Sequence, residues 1–210
     1  KLKIIDKEYS EFNQIYPKPG WVEHDPIEIW EVTLKLINTI LNRNNDKSIT
    51  CIGITNQRET TVLWDKHNGK PIYNAIVWQD KRTNKMCNDI IKNGHNNIIN
   101  KKTGLVIDSY FSATKIKWII DNIDNVKEAI KNKKILFGTI DTWLLWKLTG
   151  NKIHKTDYTN ASRTLIFNIE SKSWDNDLLD IFDIPKSILP EVCPSSHVFG
   201  YTNKKIISDN

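Results

Sequence analysis

Apolar positions recur along the chain at two different periods. After Asp25-Pro26-Ile27-Glu28, the residues Ile29, Trp30, Val32, Leu34, Ile37, Ile40 and Leu41 follow helical spacing, which predicts a helix to about Asn42. Asp25 is its expected N-cap, Pro26 takes the first helical position, and Glu28 completes a capping-box-like pair. Ser48 to Thr55 is a β-branched run that predicts a buried strand, with the Cys51 thiol inside it. Thr60 to Trp64 predicts a second strand, turning through Lys66-His67-Asn68-Gly69, and Ala75 to Trp78 a third. Helical spacing covers about 81–92, 112–122, 124–131 and 139–148, with strand-like Ile135–Phe137 before the last of these. A short helix is predicted from Trp174 to Phe182, stopped ahead of Pro185. Pro17 and Pro19 stiffen a loop over 15–26, and Leu2–Ile5 is strand-like. Strands interleaved with helices predict an α/β domain whose sheet is covered by helices.

The 210 residues suffice for one large or two small domains. No run of eighteen apolar residues exists to cross a membrane as a helix, and Lys1–Asp6 lacks the features of a signal peptide. The net charge of +5 raises nucleic acid as a partner, but lysine is scattered and forms no basic stripe. No nucleic-acid partner is therefore expected. The three cysteines, Cys51, Cys87 and Cys193, are odd in number and widely spaced, which suits free thiols in a reducing compartment. The five histidines are dispersed without metal-ligand spacing, so no metal site is expected in this chain. The text opens without an initiator Met and is expected to be part of a longer protein.

Candidate chemistry concentrates at strand ends. Asn56-Gln57-Arg58-Glu59-Thr60 places five polar residues between two apolar runs, at a strand end or loop crest. In a regular strand Arg58 and Glu59 would point to opposite faces; at a crest both can reach one ligand. A guanidinium supplies only donors and a carboxylate only acceptors, so together they match a polyol, whose hydroxyls do both. An incidental charge pair on a solvated loop has the same composition. Trp78 and Tyr110, also at element ends, could offer a ring to a carbon skeleton and a hydroxyl to its oxygens. Core aromatics with satisfied polar tips are the alternative. Asp141, at a predicted helix start, is a candidate catalytic acid or a helix cap, and the helix dipole favours the cap. No Walker A loop, dinucleotide fingerprint or nucleophile elbow is present.

The stretch Tyr110-Phe111-Ser112-Ala113-Thr114-Lys115-Ile116-Lys117-Trp118-Ile119-Ile120-Asp121-Asn122 resembles the first signature of the FGGY family of carbohydrate kinases. Further family-like text runs over 16–26, 53–61, 70–79, 137–143 and 156–164, so the resemblance covers nearly the whole chain. Gln57-Arg58-Glu59 is similar to the glycerol-phosphorylating members, where pentulose kinases usually carry Gln-Met-His.

The resemblance implies a ribonuclease H-like (actin-like ATPase) fold, with a mixed sheet flanked by helices. It implies that residues 1–210 are most of the N-terminal polyol-binding domain of a two-domain kinase. The N-terminal phosphate loop and the C-terminal nucleotide domain then lie outside this chain. By the same resemblance Arg58, Glu59 and Tyr110 hydrogen-bond glycerol, and Trp78 packs on its carbons. The base, an Asp, is expected downstream, so no catalytic residue is assigned here. ATP and Mg2+ are the implied cofactors, bound mainly by other parts, and this chain alone is expected to be inactive. A cytoplasmic homo-oligomer, dimer or tetramer, is the implied setting. Asp80, Lys115 and Arg163 lie in family-like text but receive no site role. A kinase of another polyol or pentulose, or a noncatalytic polyol-binding module, remains open on the sequence.

Overall fold

A computed structural model describes residues 3–207. The elements, in chain order, are β1 (Glu23–His24), α1 (Pro26–Arg43), β2 (Val62–Asp65), β3 (Ala75–Ile76), α2 (Asn84–Lys92) and α3 (Asn96–Thr103). They continue with α4 (Ser112–Asn122), α5 (Val126–Lys131), β4 (Ile135–Gly138), α6 (Ile140–Leu148), β5 (Lys155–Asp157) and α7 (Tyr158–Ala161). The chain then forms β6 (Phe167–Asn168), β7 (Ser173–Trp174), α8 (Asn176–Phe182), a 3-10 turn (Lys186–Ile188) and β8 (Glu191–Cys193).

The strands form small pairs rather than one broad sheet. β1 pairs with β3, β2 with β4 and β6 with β7, all antiparallel, while β5 and β8 are parallel. A bridge between Thr61 and Ile76 joins the first two pairs.

The alternation in β2 and β4 explains how helices cover both faces. In register, Leu63 opposes Phe137 and Trp64 opposes Leu136. Leu63 and Phe137 enter one core with Ile116, Ile119 and Leu178, from α4 and α8. Val62 and Trp64 enter the other, with Trp30 of α1 and Trp143 and Trp146 of α6. Successive strand residues point to opposite faces, so each face needs its own helical cover. Gly69 follows from the same packing: its φ is +70°, and a Cβ there would meet the Trp146 ring at 2.9 Å.

Helix α1 begins as its sequence predicts. The Asp25 carboxylate accepts from the Ile27 N–H at 2.8 Å, and Pro26 sits in the first turn. Glu28 does not complete a capping box; its Oε1 accepts instead from the backbone N–H and side-chain amide of Asn13.

Two expected strands do not form. Residues 48–55 form no strand and are exposed, as is Cys51, because no described segment offers their backbone a ladder. Of the strand-like text near the N-terminus, Leu2 lies outside the described residues, and Ile4 and Ile5 are exposed without pairing.

Candidate functional site

The polar crest predicted at 56–60 is a turn leading into β2, and three elements fix it. Asn56 donates its side-chain amide to Asn160 Oδ1 at 2.9 Å and to Asp141 Oδ1 at 3.4 Å. The Glu59 carbonyl accepts from the Ser112 hydroxyl, at the start of α4, at 3.3 Å. The Glu59 carboxylate accepts from Arg163 Nε at 2.7 Å. Within the turn, the Thr60 hydroxyl donates to Gln57 Oε1 at 2.8 Å.

Adjacent residues on this turn have opposite environments. Glu59 is buried, whereas Arg58 is exposed and makes no hydrogen bond or ion pair among the described residues. The turn thus carries an exposed, unengaged guanidinium and, at the next residue, a buried carboxylate that is already held.

Tyr110 and Trp78 meet next to the crest. Their ring centroids lie 5.3 Å apart at 53°. Tyr110 also packs edge-on against Phe111, at 5.2 Å. The Arg163 guanidinium carbon lies 4.8 Å from the Phe111 ring centre and 5.6 Å from that of Tyr110. Arg163 therefore links Glu59 to Tyr110, which in turn meets Trp78, whereas Arg58 makes no hydrogen bond, ion pair or ring contact with any of the three among the described residues. The Tyr110 hydroxyl has no hydrogen-bond partner among the described residues. Neither hollow identified elsewhere in the molecule, about 480 Å³ near Lys101 and about 390 Å³ near Tyr73, is lined by any of the four. Of the four, Arg58 is exposed, Trp78 and Tyr110 are half-buried and Glu59 is buried.

Lys115 explains how Tyr110 is held. Its side chain is fully buried, and Nζ donates to the carbonyls of Ser109 and Tyr110 at 2.6 Å and of Phe111 at 3.1 Å. Burial pushes its pKa down to about 7. Only the ammonium has three donors for three carbonyls, so this geometry draws on the charged form. Asp108 adds an Asx turn, accepting from the Tyr110 N–H at 2.8 Å.

Asp141 is not the cap of α6. The cap position is Thr139, and Asp141 is a buried acid that accepts from the hydroxyls of Thr139 and Thr156. Burial raises its pKa against those hydrogen bonds. Its link to Asn56 makes it part of the support beneath the crest.

Asp80 is likewise structural. With Glu23 it encloses the Arg82 guanidinium at 2.6–2.8 Å, all three side chains being nearly inaccessible. Arg163 is the participant that residue-type reasoning leaves out. Its sequence signals are its place in the polar text Thr159-Asn160-Ala161-Ser162-Arg163 and in the family-like stretch 156–164. Among the described residues no group of three or more His, Cys, Asp or Glu side chains could hold a metal ion.

The comparisons with known proteins agree on one family. The model described as "FGGY family of carbohydrate kinases, N-terminal domain" matches residues 1–209. Glycerol kinase 2 of Thermotoga maritima is 54% identical over 208 residues, 98% of this chain and 42% of that protein. A glycerol kinase of Limosilactobacillus reuteri is 57% identical over 195 residues, covering 92% of this chain and 39% of that protein. Plasmodium falciparum glycerol kinase, solved with ADP, superposes with a TM-score of 0.95 at 42% identity, covering 99% of this chain and 42% of that one. A xylulose kinase of Lactobacillus acidophilus shares the fold, with a TM-score of 0.83 at 24% identity, over 95% of this chain and 39% of that one. The chain thus spans about two-fifths of the length of the curated relatives it matches. It has their ribonuclease H-like, actin-like fold, and it belongs to the FGGY family of carbohydrate kinases as an N-terminal domain.

Proposed function

We propose that the protein carrying this chain transfers the γ-phosphoryl group of ATP to glycerol, and that the crest at Arg58–Glu59 with Tyr110 and Trp78 grips the glycerol. The observation that carries this reading is the chain of contacts from Glu59 through Arg163 to Tyr110 and on to Trp78, with Arg58 exposed and unengaged on the same turn as Glu59. Arg58 donates to glycerol oxygens, Glu59 accepts from a glycerol hydroxyl, and the Tyr110 hydroxyl can do either. The Trp78 face excludes water from the carbon side. The high identity to glycerol kinases favours glycerol over other polyols.

Phosphoryl transfer of this type rests on positioning and electrostatics more than on covalent chemistry. This chain's share is to hold the acceptor hydroxyl in place. The magnesium that accompanies ATP is held in large part by phosphate oxygens and water. No step is derived through that ion, and ATP with Mg2+ is assigned to the rest of the protein. Glycerol has six heavy atoms, so a ceiling of about 1.5 kcal/mol per atom caps its binding near 9 kcal/mol, roughly micromolar. An open half-site falls well short of that, and the chain alone is inactive in this reading. No described helix is long and apolar enough to cross a membrane. We place the kinase in the cytoplasm, with its ATP, as a homo-oligomer.

A substrate panel on the full-length protein tests the proposal. Glycerol phosphorylated in preference to xylulose and gluconate is the expected result. Preference for a sugar, or no ATP-dependent transfer to glycerol, contradicts it.

A further inference from the structure

We propose that Arg163 is a positioning residue of the polyol site, fixing the Glu59 carboxylate so that one oxygen stays available to a substrate hydroxyl. The inference rests on the reading of the Arg58–Glu59 crest as that site, and it adds a residue to which no role attaches.

The geometry is specific. Arg163 Nε donates to Glu59 Oε1 at 2.7 Å, while Glu59 Oε2 makes no hydrogen bond among the described residues. The Glu59 side chain is 5% exposed and that of Arg163 25% exposed. The guanidinium is flanked by the Phe111 and Tyr110 rings, which restrict its rotation as a cation over aromatic faces. One partly open guanidinium therefore touches the acceptor of the proposed site and the ring that carries its hydroxyl.

The element behind Arg163 is itself held in place. Asp157 caps α7 by accepting from the Asn160 N–H, and it accepts from the Asn160 side-chain amide as well, both at 2.8 Å. Asn160 Oδ1 accepts from Asn56 at the other end of the crest. The Thr164 carbonyl accepts from the Ala113 N–H at 2.9 Å, which ties the segment to the first turn of α4. Residues 157–164 thus touch both ends of the 56–59 turn and the helix after Tyr110. From that support Arg163 sets the carboxylate's orientation, and a charge-assisted hydrogen bond is short and directional enough to do so.

The test uses the full-length kinase with Arg163→Met, Arg163→Lys, Glu59→Gln and the Glu59→Gln/Arg163→Met double variant. Loss of one charge-assisted hydrogen bond predicts a roughly tenfold or greater rise in the glycerol KM of Arg163→Met, with the KM for ATP within about twofold of wild type. Arg163→Lys keeps the charge without the planar Nε fork, so its glycerol KM lies between, at least about threefold above wild type. In the Glu59→Gln background, Arg163→Met adds less than about twofold, because the two residues act as one unit. A purely structural arginine would move both KM values and would add its full effect in that background. That pattern overturns the proposal, as do glycerol KM values within twofold of wild type in both single variants. Should Arg163→Met fail to fold, Arg163→Lys alone decides by the same threshold. A wild-type enzyme that does not phosphorylate glycerol removes the underlying reading instead.

Discussion

Two arginines in this molecule sit against aromatic rings and pair with carboxylates, and they differ in how far their donors are engaged. Arg82 is wholly enclosed. It bonds Asp80 through Nε and Nη2 and Glu23 through Nη2, and Nη1 reaches the Tyr73 hydroxyl at 3.5 Å. Its guanidinium carbon lies 3.7 Å from the Trp21 ring centre and 4.6 Å from that of Trp118. Arg163 makes one ion pair, through Nε alone, beside two rings, and remains a quarter exposed. The enclosed arrangement has little left to offer a ligand and ties the 15–26 loop to α4. The open one has donors to spare, next to a carboxylate with a free oxygen. Saturation of donors, rather than the presence of charge, separates the two ion pairs.

The largest effect expected is on the enclosed side. Arg82→Met leaves two buried carboxylates without their partner, and removing one member of such a group costs about 3–5 kcal/mol. Chemical denaturation should show that loss, and a change below about 1 kcal/mol would break the contrast.

A second enclosed group couples stability to pH. His154 Nε2 lies 2.7 Å from the Phe137 carbonyl, which can only accept, so Nε2 carries the proton. Burial pushes its pKa down to about 4 from the ordinary 6.5. Between those values the unfolded chain binds a proton that the folded chain refuses, so stability falls as pH falls from 6.5 to 4. The contribution lost is about 3 kcal/mol. His154→Gln should flatten that part of a stability-against-pH curve; an unchanged slope would rule out His154 as its source.

The open side should respond in binding rather than in folding. Arg58 is exposed and unengaged, so Arg58→Ala should leave the denaturation midpoint nearly unchanged. It should raise the glycerol KM of the full-length enzyme about tenfold or more, the equivalent of a charged hydrogen bond at about 1.5–3 kcal/mol. Unaltered glycerol kinetics would remove Arg58 from the site. The smallest effect is chemical. Cys51 lies on the exposed run leading to the crest, while Cys87 and Cys193 are buried and burial lifts the Cys87 thiol to about 11. One thiol per chain should react quickly with a disulfide reagent under native conditions. Rapid reaction at Cys87 would show that the core around α4 opens readily.

How much of this was legible in the sequence depended on whether the decisive partner was local. The start of α1 was readable because Asp25 and Pro26 act within one turn. Helices α2 and α4 were readable from their apolar spacing and α6 from a largely apolar text, with boundaries within a few residues. The run 48–55 misled because β-branched residues favour a strand only where a neighbour supplies hydrogen bonds, and Ile49 and Ile52 are instead 52% and 44% exposed. Helix α3 escaped notice because its text, Asn96-Asn97-Ile98-Ile99-Asn100-Lys101-Lys102-Thr103, is short and polar, with Ile98 and Ile99 its only apolar residues; Gly104, at φ +70°, ends it. The four candidate site residues were chosen on residue chemistry and the family resemblance. Arg163 was not, since its pairing with Glu59 spans 104 residues of chain. Asp141 was misread as a cap for the same reason: Asn56 and Thr156, which it binds, are distant in sequence.

The central claim is that a guanidinium, a carboxylate, a phenol and an indole converge on one small triol. A crystal structure of the full-length protein soaked in glycerol tests it most directly. The account predicts one glycerol whose oxygens lie within hydrogen-bond distance of Arg58, Glu59 Oε2 and the Tyr110 hydroxyl, with its carbons against Trp78. Glycerol ordered elsewhere, with that crest bare, would contradict it.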